Sequence, residues 1–304
     1  MSKFQRTFKM EVQGRSGTLY TFTDPLTCVF ETSSRLTQGI NSAHFMIYNL
    51  SAEKRRDIQF DSAIDIDGGG HVIRRTFQFS AGYLSEGYQP VIFQGNISKA
   101  FSYRDSGSAD VITDICVMDG QDAVQRSQVA SSSAHPWGAK AEVAKLVKTM
   151  NQHGVTLGAV GSLFDGLTST RGVTWLGSTW DVLKRLAGAN NGVAFINMEK
   201  VYLLSASDSL LFPGAIPKLD ASTGLMGTPR RSGWTVDAEM IFEPRVYAGQ
   251  RLQVDSTVEP SINGDFRVDA VSHRGIISGA KDGGVVTAFS LFHPKEGLET
   301  VPTL

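Results

Sequence analysis

Period-two alternation of apolar and polar residues runs through most of this chain. Near the start, Phe8, Met10 and Val12 alternate with Lys9, Glu11 and Gln13, placing one face of a strand in a core and the other outward. A turn at Gln13 to Gly17 leads back into Thr18 to Thr23, and further strand-like runs follow at Leu26 to Thr32, Ala43 to Leu50, Thr76 to Tyr83, Val91 to Phe101 and Asp110 to Met118. A hairpin is predicted around Asp67-Gly68-Gly69-Gly70, and one short helix, Ala52 to Asp57, is capped by Ser51. Residues from Phe4 to about Gln128 therefore read as a barrel or sandwich of seven or eight strands.

The period then changes. Ser127 to Pro136 (SQVASSSAHP) reads as a small-residue linker. Beyond it Ala139, Val143, Leu146, Val147 and Met150 form one stripe of an amphipathic helix that Gly154 ends. A second helix opens at Ser178, with Asp181 as a capping partner, and carries Trp180, Leu183 and Ala187 inward before Gly188. Val193 to Ile196 and Val201 to Leu204 make a hairpin about Asn197 to Lys200, completing a compact α+β unit.

Residues 206–235 are rich in Pro, Gly and Ser and lead into the last quarter, Pro244 to Phe292, where strand patterning returns. Arg251 to Ser256 carries Leu252 and Val254, Phe266 to Val271 places Phe266, Val268 and Ala270 against Arg267 and Asp269, and Val285 to Phe292 sets Val285, Thr287, Phe289 and Leu291 on one face. Asn263-Gly264 and Asp282-Gly283-Gly284 supply turns between them. The expected fold class is mainly β with an α+β insert: an N-terminal barrel over residues 1–130, the insert over 131–206 and a C-terminal barrel over 207–304, with 207–243 packing on or completing the first barrel as the alternative.

Composition narrows the function classes. A chain of 304 residues with 41% hydrophobic content can bury its cores without disulfide staples. A formal net charge of -1 argues against tight backbone-driven nucleic-acid binding, which needs a clustered cationic footprint. Cys28 and Cys116 both lie in strand-like runs and read as two buried free thiols; a disulfide would require neighbouring strands. There is no 18-residue apolar stretch, and the opening MSKFQRTFKMEV reads as an amphipathic strand, not a signal peptide, so synthesis in a cytoplasm is expected.

The search for chemistry returns little. There is no GxxxxGK[ST] or helix-preceding GxGxxG, no HExxH, no paired CxxC and no GxSxG. Asp61, Asp65 and Asp67 before a glycine run lack the terminal Glu of a calcium loop. His44, His71, His135, His153, His273 and His293 are widely spaced, and His273 reads as a structural hydrogen-bonding residue. Lys54-Arg55-Arg56 and Arg230-Arg231 read as solvated basic clusters. Asp105, Asp110, Asp114, Asp119 and Asp122 concentrate carboxylates near one strand; they read first as a solvated surface and would also suit the wall of a channel that carries a polyanion. No catalytic, cofactor or metal site is expected.

Four stretches in order resemble the baseplate hub (tail hub) proteins of long-tailed bacteriophages, particularly Mu-like ones. They are HFMIYNLSAEKRRDI with its Asn49-Leu50 step, AGYLSEGYQPVIFQGNISKAF, STWDVLKRLAGANNGVAF, and the pattern Pro244, Gly249, Asn263-Gly264, Val268, Val271, His273 and Gly275. Ile276 departs from the acidic residue expected after His-Arg-Gly. The resemblance implies a non-enzymatic homotrimer whose two tail-tube-like β-barrels per subunit form a pseudo-six-fold ring. That ring would join a six-fold tail tube protein above to a three-fold central spike protein below, among other baseplate proteins in the virion. DNA would pass through its lumen without specific binding. The competing classes are a cell-wall-degrading or other hydrolase of the tail tip, and a carbohydrate-binding tail-tip protein presenting Trp137, Trp175 or Trp234 from loops.

Overall fold

A computed structural model describes residues 5–303 except 38, 62–63, 69, 71, 88, 213–216, 280–282 and 294–297. Phe4, His71 and Asp282 lie outside the described residues, as does Gly69 of the expected hairpin. Across that hairpin Ile66 bridges Val72, and Gly70 N donates to Asp67 O at 3.0 Å.

The dominant element is one continuous sheet. Its strand path runs Leu225–Ser232, Thr235–Ile241, Val285–Phe292, Gly264–Ile277, Cys28–Arg35, Ser42–Tyr48, Ile112–Met118, Val91–Tyr103, Thr76–Tyr83, Arg6–Gln13 and Leu19–Thr23. The two halves predicted as separate barrels are thus hydrogen-bonded to each other. Gly264–Ile277 lies antiparallel to Cys28–Arg35, from Ala270 opposite Arg35 to Ile277 opposite Cys28. Among the described residues no pairing joins the two ends of the path. The physical reason is the length of Gly264–Ile277: 14 residues leave its first part for Arg251–Val254 and its last part for the N-terminal half.

Alternation decides the faces, as read from sequence for Val285–Phe292, where Val285, Thr287, Phe289 and Leu291 are buried. It fails in Gly264–Ile277. A bulge between Val268 and Ala270 shifts the phase, so Val271 and His273 follow Phe266 and Val268 inward while Ala270 does not. Arg267 is buried rather than solvated. Its guanidinium donates to the carbonyls of Ser205, Ala206 and Asp208 at 2.8, 3.1 and 3.2 Å and to Asp269 at 2.9 Å, so no buried donor is left to pay a desolvation penalty alone.

Beneath the N-terminal half lies an aromatic core of Phe8, Phe30, Phe45, Phe77 and Phe79, to which Phe242, Ile277 and Val285 from the far end of the chain also belong. Residues 207–243 otherwise build on the C-terminal side. Asp208–Leu211 pairs with Glu299–Pro302, Lys218–Leu219 with Arg251–Val254, and the last two strands extend the sheet past Val285–Phe292.

Between the halves sits the α+β unit. Helices Ala139–Met150 and Thr179–Gly188 cover the sheet of Thr156–Val160, Lys200–Ser205 and Gly192–Asn197, burying Val143, Leu146, Trp180 and Leu183. The Ser178 hydroxyl caps the second helix by accepting from Asp181 N. The predicted linker is instead a strand, Gln128–Ser133, paired with Val173–Ser178. Its serines carry no apolar alternation to betray it. Its backbone is satisfied by the partner strand, and Ser133 donates to the buried Glu142 at 2.7 Å. A helix at Gln121–Arg126 was also not foreseen.

Candidate functional site

Because one sheet runs through both halves, its faces are shared. The inner face carries the two large apolar clusters. The opposite face is mixed and lined mostly by short side chains: Ser33, Ser42, Ser272, Ala288 and Ser290 lie along clefts that cross from the C-terminal to the N-terminal strands, polar toward the C-terminal strands, with Val29, Met46, Met118 and Val286 among them on the N-terminal side. Arg274 pairs with Glu239 at 3.2 Å, and His44 Nε2 lies 2.9 Å from Asp114 Oδ1.

The five aspartates do not share one environment. Asp105 and Asp110 are exposed on the connection between Val91–Tyr103 and Ile112–Met118, and Asp110 accepts from Asn49 Nδ2 at 2.8 Å. Asp114 lies on the polar sheet face, paired with His44. Asp122 meets Arg126 at 3.0 Å and His153 at 3.0 Å. Asp119 is 1% exposed, and assembly only buries surface further, so it lines no channel. The sequence reading is corrected at this residue: its carboxylate accepts the backbone N–H groups of Met198 (2.7 Å) and Glu199 (2.8 Å). Those two residues have φ of 52° and 56°, the conformation of a tight hairpin turn built without glycine. Asp119 holds that turn against the sheet, assisted by Asn41 Nδ2 donating to Ile196 O and by Gln94 donating to Glu199 Oε2 at 2.6 Å. Burial pushes the Asp119 carboxyl up to about 7.

The remaining singled-out residues set shape. Asn49, at φ 59°, also accepts from Val111 N at 3.0 Å, and Leu50 is buried behind it. Pro244 is buried in the strand connection. Gly249 has φ +87°, and a Cβ there would come within 2.8 Å of Leu210. Asn263 and Gly264 do not form a two-residue turn. They close the loop after Arg251–Val254, with Asn263 accepting from Ser256 N at 2.6 Å. Gly275 lets the Gly284 carbonyl approach to 2.3 Å of where a Cβ would stand. His273 is 3% exposed, meets Thr287 Oγ1 at 2.9 Å and stands edge-on to Phe242; burial lowers its pKa to about 4.

Both cysteines are free, Cys28 buried as expected and Cys116 only half-buried, because its side chain lies on the outer face of the sheet. Cys28 and Cys116 sit on strands separated by Ser42–Tyr48. Trp137 and Trp175 pack edge to face at 6.1 Å, and Trp175 Nε1 donates to Glu142 at 2.8 Å, which accounts for two of the three tryptophans that read as loop residues. Trp234 is 59% exposed. Among the described residues no helix is long and apolar enough to cross a membrane.

Sequence comparison with curated proteins returns no match. In fold, the chain is similar to the 43 kDa tail protein of prophage MuSo2 from Shewanella oneidensis, at 8% identity and TM-score 0.58, covering 94% of this chain and 97% of that one. It is also similar to a tail protein from Neisseria meningitidis, at 11% identity and TM-score 0.54, covering 94% and 96%. A third likeness is the Escherichia coli c3393 protein, described as a type VI secretion component with structural similarity to the T4 tail proteins gp27 and gp5. It shares 10% identity at TM-score 0.52, over 96% of this chain and 78% of that one. The profile of the family described as baseplate hub gp41 matches residues 10–274. With that match spanning most of the sequence, and with the fold of phage tail proteins beneath it, the chain belongs to the baseplate hub gp41 family.

Proposed function

We propose that this hub protein works as a homotrimeric ring that adapts a six-fold tail tube to a three-fold central spike, with the polar sheet face turned to the lumen. The observation that carries this reading is the single sheet with one apolar and one polar face, assembled from strands at both ends of the chain. In this reading the N-terminal and C-terminal halves are the two tube-like units per subunit, and three subunits supply six. Both ends of the strand path are edges: Leu19–Thr23 pairs only with Arg6–Gln13, and Leu225–Ser232 only with Thr235–Ile241, among the described residues. Exposed edges of this kind invite pairing with another chain, and ring closure removes them.

Part of the lumen wall is then acidic, with Asp105, Asp110 and Asp114 among its carboxylates, and DNA passes without being held. The role is geometric and non-enzymatic, and the place of work is the virion baseplate, between the tube protein, the spike protein and other baseplate proteins. Light scattering on the purified protein, alone and with its tube and spike partners, tests this. Three copies of the 32.9 kDa chain are expected; a monomer under both conditions overturns it.

A further inference from the structure

On the polar face, neighbouring strands bring three different donors together. His44 on Ser42–Tyr48 stands opposite Cys116 on Ile112–Met118. Asp114 lies two residues before Cys116, so strand alternation puts its side chain on the same face. His44 Nε2 lies 2.9 Å and Cys116 Sγ 3.9 Å from Asp114 Oδ1, and all three donor atoms fall within 4.8 Å of one another.

The carboxylate, not the imidazole, is within hydrogen-bond distance of the thiol, so the arrangement lacks the imidazole–thiol contact of an activated nucleophile. A bound cation would draw the thiolate, the carboxylate and the imidazole to one point. Zinc bonds of about 2.0–2.3 Å in a tetrahedron set donor–donor edges at about 3.3–3.8 Å, so the His44–Asp114 pair at 2.9 Å has to open and the Cys116–Asp114 pair at 3.9 Å to close by a few tenths of an ångström to hold the ion. One nitrogen, one oxygen and one sulfur suit zinc, whereas magnesium and calcium take oxygen donors alone. Two charged residues flank the cluster. Glu31, the register partner of His44 on the next strand, lines the same cleft and can close the fourth position. Lys99, the register partner of Cys116, lies with its ammonium 4.7 Å from the Phe101 ring centroid.

We propose that His44, Asp114 and Cys116 form a mononuclear zinc(II) site on the polar sheet face, tying Ser42–Tyr48 to Ile112–Met118. The donors come from two paired strands in the middle of a sheet, so no loop has to move to assemble them.

The test uses the untagged full-length chain under reducing conditions, titrated with Co2+ and then Zn2+. The expected result is one ion per chain and a thiolate-to-cobalt charge-transfer band that Zn2+ removes and Mg2+ does not. The band is lost in Cys116→Ser and kept in Cys28→Ser, and His44→Ala weakens Zn2+ binding at least tenfold. His44 is half exposed, so that variant keeps its fold and remains decisive if Cys116→Ser does not. Absence of a band in the wild type, a band surviving Cys116→Ser, or unchanged Zn2+ affinity in His44→Ala overturns the proposal.

Discussion

Asp119 and His273 are both buried titratable groups, but they move stability in opposite directions. The Asp119 carboxyl is raised from 3.8 to about 7 in the fold. The folded state therefore holds a proton that the unfolded chain has lost, and stability from this group falls as pH rises from about 4 to about 7. The His273 imidazole is lowered from 6.5 to about 4, so the unfolded chain takes up a proton that the fold refuses. Stability from His273 is full above 6.5 and falls as pH drops toward 4, by about 3 kcal/mol at most. Urea midpoints measured from pH 4 to 7 should therefore be flatter in the wild type than in either variant: Asp119→Ala should gain stability with rising pH, and His273→Gln should lose it. At pH 4 Asp119→Ala should cost about 2–4 kcal/mol, because two backbone N–H groups are left without an acceptor, and that cost should shrink as pH rises toward 7.

At the scale of elements, what was legible is what repeats locally. The helix at Ala139–Met150, the Ser178 cap and the alternation in Val285–Phe292 follow from side chains a few residues apart. Elements held from outside were not legible. Gln128–Ser133 has serines where a strand signal would need apolar residues, and only its partner Val173–Ser178 makes it a strand. The bulge after Val268 moves Ala270 out and Val271 in, which no composition signals. His44 and Cys116 are far apart in sequence and meet only through strand register, so a motif search could not join them. The glycine of the His-Arg-Gly step does have a reason that a strand pattern hides. At Gly275, φ is +155° and the Gly284 carbonyl occupies the space of a side chain. Gly275→Ala should destabilise the protein by about 2–3 kcal/mol in thermal or urea unfolding, through backbone strain and strand displacement. An unchanged midpoint would show that the strands can part there without cost.

At the scale of the molecule, the seam between Gly264–Ile277 and Cys28–Arg35 binds the two ends of the chain into one structure. Phe242 reinforces it from within, standing edge-on to Phe30 and accepting a hydrogen bond from the Tyr83 hydroxyl at its backbone carbonyl at 2.7 Å. The N-terminal 130 residues made alone lack Phe242, Ile277 and Val285 of their own core. They should show no cooperative unfolding transition by circular dichroism, while the full chain shows one in which both halves melt together. A sharp transition in the fragment would mean that its core is sufficient by itself.

The seam also sets a schedule for synthesis. Thr32 and His273, hydrogen-bonded across it, are 241 residues apart. A ribosome adding roughly 5–20 residues per second needs roughly 12–50 s to deliver the second after the first. Throughout that interval Cys28–Arg35 leaves the ribosome with one flank open, on a nascent chain whose siblings emerge beside it with the same open flank. Shielding of that flank by a chaperone, or slow closure of the first half until its far partner arrives, becomes part of how this subunit reaches its fold.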